Sequence, residues 1–148
     1  MPGRKRSTPP PTFRKAFAQR RCLIAADGFY EWAKPASGPR QPWFFCLVRG
    51  EPFAFAGLWA RWKGPDGAVD SCTILTTEAN ATVAPVHGRM PVIVAPEDYD
   101  RWLDSDVHAR DALEDILQPC PAEAMEGWPV SQRVNSPKVD EPELIEAV

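Results

Sequence analysis

With 148 residues, 44% of them hydrophobic and 25% charged, the chain suits one globular core that buries roughly 70% of the surface exposed when unfolded. No run of eighteen apolar residues occurs, and residues 1–21 are basic and proline-rich without an apolar signal region, so no membrane association and a soluble cytoplasmic protein are expected. The net charge of −3 argues against a uniformly basic nucleic-acid binder, yet Arg4, Lys5, Arg6, Arg14, Lys15, Arg20 and Arg21 all precede the first acidic residue, Asp27, whereas Asp and Glu dominate residues 97–126.

In chain order, residues 1–12 form a basic Pro-rich arm, because proline removes backbone donors and restricts its predecessor. Residues 13–148 are expected to form a single domain. Thr12 is placed to cap a short basic helix over Phe13–Gln19, with Phe13 and Phe17 four apart on one face. CLIAADGFYEW then reads as strand, turn and strand, with Asp27-Gly28 as a hairpin turn. PWFFCLVRG and PFAFAGLWARW are two further apolar strands split by Gly50-Glu51-Pro52. After the Gly64-Pro65-Asp66-Gly67 loop, VDSCTILTT alternates as a strand does. Asn80–Val86 reads as a short helical or irregular connection that leads through a polar loop into HGRMPVIV. Pro96-Glu97 opens a helix to Leu103, a second helix is expected over Val107–Leu117, and VSQRV is expected as a late strand. The tail PKVDEPELIEAV reads as a docked extension.

The four cysteines lie far apart, without CxxC or Cys/His spacing, so neither a metal site nor a disulfide framework is expected. They read as buried thiols packed as small hydrophobes. Trp43, Trp59, Trp62, Trp102 and Trp128 are assigned mainly to the core, and His108 to a solvated helix face.

Three stretches, RRCLIAADGFYEW at 20–32, HGRMPVIV at 87–94 and VNSPKVDEPELIE at 134–146, resemble in order and spacing the SRAP family, the SOS-response-associated peptidases or abasic-site processing proteins. The resemblance runs from about Phe13 to Glu146. It implies an α+β fold, a curved β-sheet or barrel-like core with flanking short helices, and a cleft for single-stranded DNA carrying abasic sites. No cofactor and no metal are implied. In the family, a cysteine at the mature amino terminus forms a thiazolidine with the ring-opened abasic aldehyde, and the glutamate and histidine matching Glu31 and His87 assist.

The chemistry of these residues agrees with those roles. A carboxylate between Tyr30 and Trp32 on an apolar strand is partly desolvated, which raises its pKa toward the range of a proton shuttle. His87 exchanges protons near neutral pH and could protonate the sugar oxygen of the closed abasic site. Arg89 can fork onto a phosphate, Arg4, Arg20 and Arg21 add sequence-independent attraction, and Trp32 offers a face for stacking a base. Taken alone, Glu31 is equally an outward-facing strand residue, His87 a hydrogen-bonded structural histidine and Trp32 a core aromatic.

The family begins Met-Cys-Gly-Arg, followed by a long segment that ends in Asn-x-Arg shortly before a Pro-x-Phe like Pro11-Thr12-Phe13. Here the chain opens Met1-Pro2-Gly3-Arg4, and neither the cysteine nor the asparagine has a counterpart. The expectation is an N-terminally truncated SRAP protein that exposes apolar sheet and lacks the thiazolidine route, which leaves its standing as an enzyme open. Cys22, in a buried-looking strand, is a poor substitute nucleophile. A Pro2 amine, freed by removal of Met1, is the other candidate, through an iminium with the aldehyde. The competing expectation is a non-catalytic single-stranded nucleic-acid-binding remnant. General protease activity finds no recognisable Ser/His/Asp or Cys/His/Asn set.

Overall fold

The computed structural model describes residues 11–148. Helix α1 (Pro11–Gln19) leads into strands β1 (Arg21–Ala26), β2 (Phe29–Ala33), β3 (Gln41–Leu47), β4 (Phe53–Gly64), β5 (Gly67–Ile74), β6 (Thr76–Glu78), β7 (Arg89–Pro91) and β8 (Ile93–Val94). A 3₁₀ turn and helix α2 (Tyr99–Leu103) follow, then short 3₁₀ turns and strand β9 (Met125–Pro129).

β4 organises the first sheet because its first half is apolar on both faces, and Phe53 through Leu58 are all buried. Its one edge pairs with β1, with Cys22 opposite Gly57; its other edge is shared by β8, opposite Ala54 and Phe55, and by β5, opposite Gly57 to Gly64. The second sheet runs β2-β3-β9, and β6 with β7 forms a separate pair. The fold is mixed α+β with open sheets, and among the described residues none closes into a barrel. Among the described residues β5 carries no strand on its far side, and all eight of its residues are exposed.

Apolar side chains divide into three clusters. Ala56, Leu58, Val92 and Val94 pack against Phe17 of α1 and Trp102 of α2. Phe53 and Phe55, on the opposite face of β4, meet Phe29, Phe45, Val83, Val86, Met90 and Met125 between the two sheets. Phe44, Cys46 and Val130 with Tyr30, Trp128 and Val134 cover the outer face of the second sheet. This partition follows the two-residue alternation of β2 and β3.

Several elements differ from the sequence expectation. β1 and β2 form no hairpin: they belong to different sheets, and Gly28 marks the crossing, where a Cβ would lie 2.0 Å from the Phe44 ring and 2.8 Å from the Phe45 carbonyl. The Val107–Leu117 helix is reduced to a 3₁₀ turn at Arg110–Leu113. Asp104 ends α2 in an extended conformation, and the Arg21 guanidinium takes the Asp104 and Val107 carbonyls that a continuing helix would use. The late strand is Met125–Pro129; VSQRV instead closes a 3₁₀ turn in which the Ser131 hydroxyl accepts from the Arg133 amide. Trp59 and Trp62 are exposed on the β4–β5 hairpin rather than buried. Cys72, also on β5, is exposed, Cys22 and Cys120 are half-buried, and all four thiols are free. The tail docks as expected, with Leu144 buried and Val130 bridged to Ala147.

Candidate functional site

The segment that delivers His87 is built from Asn80. Its carboxamide oxygen accepts from the Thr82 and Val83 amides, and its Nδ2 donates to the Cys120 carbonyl. Thr82 donates to the Ala122 carbonyl, and Val83 and Val86 anchor the turn in the cluster between the sheets. The His87 amide donates to the Val83 carbonyl, so the imidazole leaves the turn at a fixed point ahead of β7. Asparagine capping a turn before apolar residues is a recognisable local signal, and the sequence reading had not singled out Asn80.

Glu31 lies between Phe29 and Ala33 on the face of β2 that looks toward the other sheet, opposite Trp43 of β3. There its Oε2 stands 3.7 Å from His87 Nδ1, with side-chain exposures of 22% for Glu31 and 45% for His87. The structure thus brings together the two residues expected to exchange protons, from distant parts of the chain. Burial pushes the Glu31 carboxyl above the ordinary carboxylate range, and positive charge on His87 pulls it partly back. His87 Nδ1 also lies 2.9 Å from the Arg89 carbonyl and accepts from the Arg89 amide at 3.2 Å. A half-buried carboxyl beside an accessible imidazole can store and pass a proton at a reacting oxygen.

Arg89 follows His87 on β7, but its guanidinium is turned across β6, where it donates to the Thr76 carbonyl and hydroxyl. It borders a groove of about 700 Å³ lined also by Phe13, Phe17, Thr76 and Arg110, and neither Glu31 nor His87 lines that groove. Arg89 is an exposed residue.

Trp32 is not beside Glu31. It shares the opposite face of β2 with Tyr30, at a ring separation of 6.3 Å, and its indole N–H donates to the Asn135 carboxamide at 2.6 Å. Asn135, in the VN segment, is a second residue whose contact the sequence did not reveal, because it comes from 103 positions away.

The two adjacent arginines separate sharply. Arg21 is buried: Nε donates to the Trp102 carbonyl, Nη1 to Phe17 and Nη2 to Asp104 and Val107, while the guanidinium stacks on the Phe17 and Trp102 rings. With Nη1 also 3.5 Å from the Ala18 carbonyl, all five guanidinium donors face backbone carbonyls, so Arg21 is a structural cation rather than a DNA contact. Arg20 is half-exposed and makes one such bond, from Nε to the Trp59 carbonyl. Pro2 and Arg4 lie outside the described residues. His108 is exposed with Nδ1 3.2 Å from the Ala18 carbonyl, and Cys22 has its thiol pushed up by burial, against a nucleophilic role. Among the described residues no group of three or more His, Cys, Asp or Glu side chains is arranged to hold a metal, and no helix is long and apolar enough to cross a membrane.

Comparison with known proteins adds an independent line. The chain is 43% identical over 138 residues to the abasic site processing protein YoqW of Bacillus subtilis, covering 93% of this chain and 62% of that protein. It is 32% identical to the abasic site processing protein HMCES of Gallus gallus, covering 85% of this chain and 43% of that one. The chain therefore spans less than two thirds of the length of these relatives. A solved protein from Bordetella bronchiseptica superposes with a TM-score of 0.70 at 34% identity, covering 81% of this chain and 59% of that one. One from Bacteroides thetaiotaomicron shares the fold with a TM-score of 0.85 at 22% identity, covering 94% and 61% respectively. Residues 6–137 match the family described as SOS response associated peptidase, SRAP, and the chain belongs to that family.

Proposed function

We propose that this chain recognises and processes abasic sites in single-stranded DNA, with His87 as the proton carrier and Glu31 as its partner. The observation that carries the reading is the meeting of Glu31 and His87 at the seam between two sheets, in a chain whose relatives are named abasic site processing proteins. Ring opening of an abasic sugar needs a proton delivered to one oxygen and taken from another, and an imidazole beside a carboxyl raised by burial suits both transfers near neutral pH. Arg89 and Arg20 supply positive charge for the sugar-phosphate strand, and Trp32 a stacking face beyond the edge of β2. We take residues 13–148 as one domain preceded by the basic arm of residues 1–12, acting in the cytoplasm.

The test uses a single-stranded oligonucleotide with one abasic site and its intact counterpart, incubated with wild type, Glu31→Gln and His87→Gln. Expected are preferential binding of the abasic strand and a processed product, either a covalent species or a cleaved strand, on denaturing gels. His87→Gln should lose the product and keep binding. Equal binding of both strands with no product would overturn the proposal; preferential binding with no product in wild type would reduce it to a binding module.

A further inference from the structure

We infer that Glu31 decides which nitrogen of His87 carries the proton: with Glu31 ionised, neutral His87 keeps its hydrogen on Nδ1 and leaves Nε2 bare. Among the described residues, the polar partners of the ring converge on Nδ1: the Arg89 carbonyl at 2.9 Å, the Arg89 amide at 3.2 Å and Glu31 Oε2 at 3.7 Å. These three ask opposite things of one atom. The carbonyl and the carboxylate favour a hydrogen on Nδ1, and the amide N–H favours a lone pair there. Free neutral histidine prefers its hydrogen on Nε2, so with the two Arg89 groups alone the contest would be close.

The carboxylate settles it. At 3.7 Å it is too far for a good hydrogen bond, and it acts instead through the field of a charge on a side chain only 22% exposed, where solvent screens it weakly. The direct hydrogen bond then runs from Nδ1 to the Arg89 carbonyl. Because Nδ1 keeps its hydrogen in both the imidazolium and the Nδ1–H neutral form, its bond to the Arg89 carbonyl persists in both. The imidazole need not rotate when the proton moves.

For the chemistry proposed above, on which this consequence rests, Nε2 is the working atom. Imidazolium gives its Nε2 proton to a substrate oxygen and becomes the Nδ1–H neutral form; bare Nε2 later takes a proton back, and no electrons change hands. Glu31 is here a positioning residue for the proton, acting through His87.

The tautomer itself can be read without DNA. The chain has two histidines, so ¹⁵N-histidine protein together with His108→Gln isolates the His87 signals in long-range ¹H–¹⁵N spectra. Above the histidine titration, wild type should show a protonated Nδ1 and a bare Nε2. Glu31→Ala should move the tautomer ratio roughly tenfold toward Nε2–H, the scale of one charge-assisted interaction. Glu31→Gln, which keeps the side-chain volume, gives the same readout if the alanine variant does not fold. A wild-type ring mainly in the Nε2–H form, or a ratio unchanged in the folded variants, would overturn the inference while leaving the abasic-site reading to its own test.

Discussion

Arg20 and Arg21 are neighbours in a basic run, and the structure predicts opposite consequences of removing them. In Arg21→Met the stem volume stays but the four hydrogen bonds to the Trp102, Phe17, Asp104 and Val107 carbonyls go, each between 2.6 and 2.7 Å. Hydrogen bonds to a charged group contribute about 1.5 to 3 kcal/mol each, but four acting on one rigid fork are not additive, and some of the freed carbonyls can regain water. We take about 3 to 5 kcal/mol, the cost of leaving about two of these carbonyls unsatisfied at about 1 to 3 kcal/mol each, as the better guide. For a chain of 148 residues an unfolding entropy near 2.1 cal/mol/K per residue gives about 0.3 kcal/mol per degree, hence a fall in Tm of roughly 10 to 15 °C. Arg20→Met loses one half-exposed bond to the Trp59 carbonyl, so its Tm should fall by about 3 °C or less. Calorimetric scans of the two variants measure this directly. Below both midpoints, Arg20→Met should lower the salt slope of single-strand binding by about one and Arg21→Met should leave it unchanged. An Arg21→Met midpoint within about 3 °C of wild type, or a salt slope lost with Arg21 instead of Arg20, would refute the division of roles.

Glu31 predicts a pH signature. Its folded carboxyl is raised, so the stability it contributes is complete below the ordinary carboxylate range, where both states hold the proton, and is lost as pH rises through the folded value. Urea unfolding should therefore show wild type losing ground to Glu31→Gln across that window and then running parallel to it; profiles parallel throughout would contradict the shift. Thiol titration should label Cys72 quickly in the native protein, whereas Cys46, buried and with its thiol pushed up, should wait for unfolding. A fast phase that persists in Cys72→Ser would assign it elsewhere. Trp62, 63% exposed, should tolerate serine within about 0.5 kcal/mol, while Trp102→Ala, at 0% exposure, should cost about 3 to 5 kcal/mol in the same urea assay.

What the sequence made legible is what short-range chemistry determines. α1 follows from the Phe13–Phe17 spacing, although it begins at Pro11 and so takes Thr12 inside the helix rather than as its cap; β3 and β4 follow from apolar runs, and the β4–β5 turn from Gly64 to Gly67. The motif resemblance pairs Glu31 with His87, and the two stand 3.7 Å apart. The failures have long-range causes. Asp27-Gly28 carries turn chemistry, yet the chain crosses between sheets there because the Phe44 ring fills the space beside Gly28. Residues 107–117 look helical, but Arg21, more than eighty positions away, holds the carbonyls that the helix would have used. Tyr30-Glu31-Trp32 reads as one cluster of functional side chains, although strand alternation assigns Glu31 to one face and its neighbours to the other.

That alternation also constrains how a nucleic-acid strand could use the site. Among the described residues no backbone ladder joins β2 to the segment carrying His87, which leads into the separate β6–β7 pair. Phe29 of β2 and Val83 and Val86 of the turn that leads to His87 belong to the same cluster between the sheets. The pair is therefore held by side-chain packing, and a cavity cut into that cluster would disturb it more than loss of a surface charge nearby. Trp32 lies across the strand from this seam, pinned by Asn135. Among the described residues β2 is the edge strand of its sheet, so in the proposed reaction a strand seated at Glu31 and His87 would reach the indole by passing around that edge. Stacking on Trp32 then serves a nucleotide flanking the reacting sugar, not the sugar itself, so in the proposed reaction Trp32→Ala should weaken binding while leaving the proton chemistry of bound substrate intact.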